Sequence, residues 1–191
     1  MEQPVREQLR LSLPDEAYAG DWETAMAELC ATGEAIPMGW HAGQATFERM
    51  LAFARRMAEG RDLPPHMVQS TNYWLVRVPD NRLVAAACLR HRLNDRLLQR
   101  GGHIGYGVRP GERRRGYGTR MLALMLARCA ALGIARALVT CDEGNAGSIG
   151  VIEKNGGELE DIRTGPDGLR LRRYWIDTAK SADNLAIGVP K

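Results

Sequence analysis

The stretch Val108-Arg109-Pro110-Gly111-Glu112-Arg113-Arg114-Arg115-Gly116-Tyr117-Gly118-Thr119 constrains this chain more than any other. Residues 103–108 read as a strand, a basic glycine-bearing loop follows, and residues 116–132 carry apolar side chains at helical spacing up to the stop at Gly133. A strand–loop–helix junction points several backbone N–H groups and the positive end of a helix dipole at one spot, the arrangement that holds a phosphate. Gly116 and Gly118 lack a Cβ and tolerate positive φ, so backbone can approach an anion closely. The same region concentrates the charge. Residues 102–120 hold five arginines against one acid, Glu112, so the formal net charge of +3 divides into +4 there and −1 elsewhere. An excess confined to one loop fits a local anion site rather than a surface that coats nucleic acid.

The rest of the chain bounds what surrounds that junction. At roughly 150 residues per domain, 191 residues make a single unit, and 45% hydrophobic with 26% charged residues excludes a disordered or fibrous chain. The longest uncharged apolar runs, residues 83–89 and 121–127, fall far short of the ~20 residues a bilayer requires. The opening MEQPVREQLRLSLPDE contains no apolar signal region, so a cytoplasmic protein without membrane contact is expected. Four cysteines, Cys30, Cys88, Cys129 and Cys141, lack CxxC spacing and read as reduced, mostly buried thiols, with no metal.

Periodicity and turn residues place the elements. Strands are expected over residues 8–13, 72–78, 82–91, 103–108 and 136–141, with two more joined by Pro166-Asp167-Gly168 and ending near Ile176. Helices are expected from Asp15 to the stop at Gly33, over residues 44–59, 116–132 and 145–155, with a short one within 92–101. The tail from Thr178 reads as loose. The order predicts a mixed α/β (α+β) fold: a largely antiparallel central sheet with one parallel crossover through residues 116–132, and helices on both faces.

Three phosphate loops compete for the basic junction. A P-loop needs Lys-Ser/Thr after its second glycine, where Tyr117-Gly118 stand, and a dinucleotide loop needs a third glycine where Met121 stands. The pattern that fits is [R/Q]xxGx[G/A], written here Arg113-Arg114-Arg115-Gly116-Tyr117-Gly118. VRPGERRRGYGTRML resembles the V-x-P-x-x-R-x-x-G-x-G-x-x-x-L run of the GNAT superfamily of acyl-CoA N-acyltransferases. Asn145-Ala146-Gly147-Ser148 and Glu153-Lys154-Asn155-Gly156 resemble its N-x-x-[AS] and E-K-x-G elements. The likeness spans about residues 72–174, and TNYWLV, RHRLN, GGHIGYGVRP, TCDEGN and IEKNGG look like a poorly characterised bacterial subgroup of predicted acetyltransferases.

The resemblance implies a GNAT-like fold with acetyl-CoA as co-substrate and an amine of a small molecule or peptide as acceptor. It divides the chain into an acceptor side over residues 1–70, a coenzyme-binding core over 72–177 and a tail over 178–191. It implies main-chain contacts from Val108 and Arg109 to the pantetheine arm. Arg113, Arg114, Arg115, Gly116, Tyr117, Gly118 and Thr119 would surround the pyrophosphate, and Asn145 and Ser148 would meet the pantetheine or adenosine. Taken singly, these residues also read as solvated arginines, a helix N-cap at Asn145 and a helix end at Gly156. It allows a homodimer, which the sequence itself does not display.

Acyl transfer needs a neutral amine, and deprotonating a lysine-like amine at pH 7 costs about 4.6 kcal/mol. It also needs a proton donor for the leaving thiolate and an N–H for the carbonyl oxygen. The family's tyrosine acid position holds Ile152, and its base positions hold Ile104 and Gly102. The catalytic candidates are therefore His103, Asp142 and Tyr106, with His91 and Cys141 behind them. Alternation sets Tyr106 on the face of Val108 and His103 on the other, unless a bulge at Gly105 or Gly107 reverses it. The vacant positions also motivate a non-catalytic acyl-CoA-binding regulatory reading; a nucleic-acid binder is disfavoured by the charge of the remainder.

Overall fold

Ser70–Arg77 (β2) and Arg82–Arg90 (β3) pair antiparallel, turning through Asn81, whose φ of 51° suits an asparagine. Both strands are covered on both faces, which explains the unbroken apolar run of β3. Leu75, Val84, Ala85, Ala87 and Leu89 pack into one core cluster, while Trp74, Val76, Leu83 and Ala86 pack into another. In a computed structural model the described residues are 8–41, 46–165 and 167–179.

The second cluster belongs to the N-terminal helices Ala19–Ala31 (α1), Met38–His41 (α2) and Phe47–Glu59 (α3), while Leu9 and Leu11 of Leu9–Ser12 (β1) pack against the first. Thr46 caps α3 by accepting from Arg49 N–H, and Gly60 ends it at φ 70°. The helix expected over 44–59 thus starts at Phe47; residues 44 and 45 lie outside the described set. Helix α2, four residues long, is too short to show a period in the sequence. It presents Trp40, fully buried, whose carbonyl accepts from Trp22 Nε1 at 2.6 Å and whose own Nε1 donates to Gly107 O at 3.1 Å.

The first cluster lies under Tyr117–Ala131 (α5), which buries Met121, Leu122, Met125, Leu126 and Cys129. Asp95–Gln99 (α4) and Ile104–Val108 (β4) precede it; Arg136–Asp142 (β5), Ala146–Lys154 (α6), Glu158–Thr164 (β6) and Arg170–Asp177 (β7) follow. The strands form two sheets, β1-β2-β3-β4 and β5-β7-β6, with antiparallel neighbours throughout. Helices cover both faces, as expected.

The expected parallel crossover takes a different form. Helix α5 does carry the chain from β4 to β5, but no ladder joins those strands. Their sheets touch where His103 N–H donates to Leu138 O at 2.7 Å and Leu138 N–H donates to His103 Nδ1 at 3.0 Å. Gly102 makes that contact feasible: at φ 61°, a Cβ there would stand 2.2 Å from Leu138 O. Beyond this point β4 and β5 form separate sheet edges.

The β6–β7 turn is closed by Gly165 N–H to Leu169 O and by Gly168 at φ 76°, while Pro166 lies outside the described residues. The tail expectation needs correcting at its start. Thr178 is buried and donates its hydroxyl to Ile134 O at 2.7 Å; residues 180–191 lie outside the described set. Cys88, Cys129 and Cys141 are buried free thiols and Cys30 is an exposed one.

Candidate active site

Strand β4 presents a free edge. Arg90 N–H donates to His103 O and Arg109 N–H to Val84 O, bracketing a register of Leu89↔Ile104, Ala87↔Tyr106 and Ala85↔Val108. In an antiparallel pair this parity turns the odd-numbered amides of β4 toward β3 and those of Tyr106 and Val108 toward the opposite edge. That edge opens on a cavity of about 860 Å³. No bulge interrupts the pairing, so the alternation read from sequence holds and the Tyr106 and Val108 side chains pack on the α5 side.

The loop ahead of α5 forms one end of the cavity. Arg114 at φ 67° and Gly116 at φ 83° alternate the backbone sense, and α5 begins with no side-chain cap, so its first N–H groups face the cavity uncovered. Arg113, Arg114, Gly116, Tyr117, Gly118 and Thr119 all line it. Helix α6 forms the second wall. Its N-cap Asn145 accepts from Ser148 N–H at 2.9 Å, and both line the cavity, so the capping and the binding expectations are compatible.

Two arginines lie elsewhere. Arg109 is fully buried: Nε and NH2 donate to Glu28 at 2.8 Å each, NH1 to Asp21 at 2.7 Å, and its amide is bonded to Val84. It clamps α1 to the sheet and has no main-chain N–H to offer an arm in the cavity, which corrects that expectation. Arg115 donates to Glu112 at 3.1 Å, a buried carboxylate that also receives Arg77 and Arg82. Arg115 does not line the cavity.

The catalytic candidates separate cleanly. His103 sits at the sheet junction with Nδ1 accepting from Leu138, its pKa pushed down to about 4 by burial and then by Arg90. It lies outside the cavity and is withdrawn as acid or base. His91 bonds Thr71 Oγ1 at 2.9 Å, burial lowering its pKa, and also lies outside. Asp142 is exposed at the end of β5 and outside the cavity wall; its carbonyl accepts from Asn145 N–H. The Cys141 thiol is pushed up to about 11 by burial and by Asp142, so it is protonated and a poor nucleophile.

Tyr106 alone of the three lines the cavity. Its hydroxyl is buried, lacks a hydrogen-bond partner of good geometry, and faces Ser148. Burial raises its pKa, so it stays protonated and can donate.

Sequence reasoning missed the third wall, the segment following α1 that contributes Thr32, Glu34, Ala35 and Pro37. Pro37 presses on β4 at Gly107, where a Cβ would stand 2.3 Å from its Cγ. Glu34 ion-pairs with Arg113 at 2.6 Å, and that bond holds its carboxyl below the usual range. Among the described residues no group of His, Cys, Asp and Glu could hold a metal ion, and no helix is long and apolar enough to cross a membrane.

The class of protein is an acetyltransferase: the acetyltransferase (GNAT) domain family matches residues 9–158. The chain belongs to the GNAT family of acetyltransferases. A search of curated protein sequences found no match. Among solved structures, the fold is similar to RimL, a ribosomal L7/L12 alpha-N-protein acetyltransferase in complex with coenzyme A. That likeness has TM-score 0.65 and 16% identity, covering 91% of this chain and 96% of that one. It is also similar to yncA of Salmonella typhimurium, a putative acetyltransferase with acetyl-CoA, at TM-score 0.62 and 14% identity over 89% and 94% of the two chains. A spermidine N-acetyltransferase SpeG chimera from Vibrio cholerae and hSSAT matches at TM-score 0.62 and 12% identity over 91% and 98%. At such identities the likeness concerns the fold.

Proposed function

We propose that the chain transfers an acetyl group from acetyl-CoA to a primary amine of a small molecule or a peptide, directly within a ternary complex. The observation that carries this reading is the outward edge of Tyr106 and Val108 running into the uncovered N–H groups at the start of α5, along one cavity. An extended amide-bearing arm fits the first feature and a pyrophosphate the second. Bound there, acetyl-CoA supplies an activated thioester.

Arg113, Arg114 and the amides from Gly116 to Thr119 hold the phosphates, and Asn145 and Ser148 flank the arm from α6. An outward amide of β4 supports the carbonyl oxygen as charge develops. The neutral amine forms the new C–N bond, the C–S bond breaks, and the Tyr106 hydroxyl gives its proton to the departing sulfur. The amine's excess proton leaves through water, and solvent restores Tyr106. The RimL and SpeG likenesses support peptide and polyamine amines equally as acceptors. The protein acts in the cytoplasm, without nucleic acid.

Calorimetric titration with acetyl-CoA and free CoA, followed by thiol release over an amine panel, tests the proposal. Micromolar coenzyme binding with amine-dependent thiol release is expected. Binding without release to any amine would favour the regulatory reading, and no binding would remove the coenzyme.

A further inference from the structure

Two side chains of the cavity wall are already joined to each other. Arg113 NH2 and NH1 donate to Glu34 Oε2 and Oε1 at 2.6 and 3.1 Å, a two-bond fork between the loop before α5 and the segment after α1. Glu34 is the only carboxylate lining the cavity among the described residues, and Arg113, Arg114 and Lys154 are the basic residues that line it. Arg109 and Arg115, by contrast, are held by acids outside the cavity. Both partners of the fork remain partly exposed, 41% and 58% of their side chains, so an anion entering the cavity meets the guanidinium. The same pair of N–H donors that grips a carboxylate is the pair that grips a phosphate, so the two anions compete for it.

We propose that Glu34 stands in for the coenzyme's pyrophosphate: it occupies Arg113 in the free enzyme, weakens coenzyme binding, and is displaced when phosphate takes the guanidinium. This rests on the coenzyme reading of the cavity given above. Glu34 lies three positions before Pro37, which presses on Gly107 of β4. Displacement therefore undoes a tie between that segment and the loop before α5 while leaving the Pro37 contact with β4 in place.

The test is calorimetric titration of CoA, and of acetylpantetheine, which carries no phosphate, into wild type, Glu34→Gln, Arg113→Ala and the double variant. Glu34→Gln is expected to bind CoA about twofold to fivefold more tightly, the scale of losing one exposed ion-pair competitor. Acetylpantetheine affinity should stay unchanged. Arg113→Ala should cost more affinity in the Glu34→Gln background than in wild type, because only in wild type must the guanidinium first be released. Equal or weaker CoA binding by Glu34→Gln overturns the proposal. Additive effects of the two substitutions also overturn it, since Glu34 is then only a distant charge, as does a matching change for acetylpantetheine. If none of the four proteins binds CoA, the coenzyme reading itself fails, a different result from wild-type binding that Glu34→Gln leaves untouched.

Discussion

Arg109 and Glu28, 81 positions apart, meet in a fork of two 2.8 Å bonds that fixes α1 against the end of β4. The guanidinium is fully buried while Glu28 and Asp21 keep about a third of their side chains in water, at 30% and 27%. Removing the buried member leaves Glu28 with Arg82 at 3.4 Å and Asp21 with the Leu83 N–H, two carboxylates short of their main cation at the edge of an apolar core. Arg109→Met is therefore expected to destabilise the fold by about 3 kcal/mol, a loss of about 6–12 °C in Tm for a chain of this size. Glu28 adds a pH signature. Its pKa is lowered chiefly by its bond to Arg109, so its contribution is present above the unfolded value of 4.5 and is lost as pH falls through the lowered one. Thermal melts from pH 7 to 3 should show that acid slope in wild type and a shallower one in Arg109→Met. Coenzyme affinity of the folded variant should be unchanged, because Arg109 lies outside the cavity.

Sequence alone carried the hairpin of β2 and β3, the long helix α5 and the glycine-bearing loop before it, because each is written in neighbouring residues: alternation, a 3.6-residue stripe, glycines at fixed offsets. What it could not carry was pairing at a distance. Five arginines near the loop look alike in sequence, yet Arg109 is taken by Asp21 and Glu28, Arg115 by Glu112, and only Arg113 and Arg114 reach the cavity. The same holds for His103, whose partner Leu138 lies 35 positions away. The α2 turn and the Thr32–Glu34–Pro37 wall leave no periodic trace, being too short for one.

Gly102 sets the seam between the two sheets. A Cβ at φ 61° and 2.2 Å from Leu138 O forces either the backbone or the sheet junction to move. Gly102→Ala is expected to cost about 2–4 kcal/mol, combining a left-handed penalty with overpacking. Urea unfolding should show the midpoint falling at constant m. A midpoint within experimental error of wild type would mean the seam is compliant.

His103 should titrate far from an ordinary histidine. Its folded pKa of about 4 lies below the unfolded value of 6.5, so the unfolded chain takes up the proton first. The neutral ring's contribution is fully present above pH 6.5 and is lost as pH falls toward 4, with His91 adding in the same direction. Nitrogen NMR should find the His103 ring neutral at pH 6 with Nδ1 unprotonated, as its bond from Leu138 N–H requires. A midpoint near 6.5 would contradict the burial of this ring.

Tyr106→Phe separates chemistry from structure. The hydroxyl is buried without a partner of good geometry, so removing it takes away an unsatisfied polar group and leaves the ring's packing on the core intact. Tm is expected to stay level or rise. Coenzyme affinity should also hold, because the loop before α5 and the outward amides of β4 are untouched. If the hydroxyl protonates the leaving sulfur, kcat should fall by about a hundredfold, the low end of what a positioned acid supplies. The pH–rate profile of wild type should show no descending limb from Tyr106 below pH 10, since burial raises its pKa above the ordinary phenol value. A variant with undiminished kcat would assign the proton to water and leave Tyr106 as a wall of the cavity. Steady-state kinetics and a melt on the same preparation decide between these outcomes.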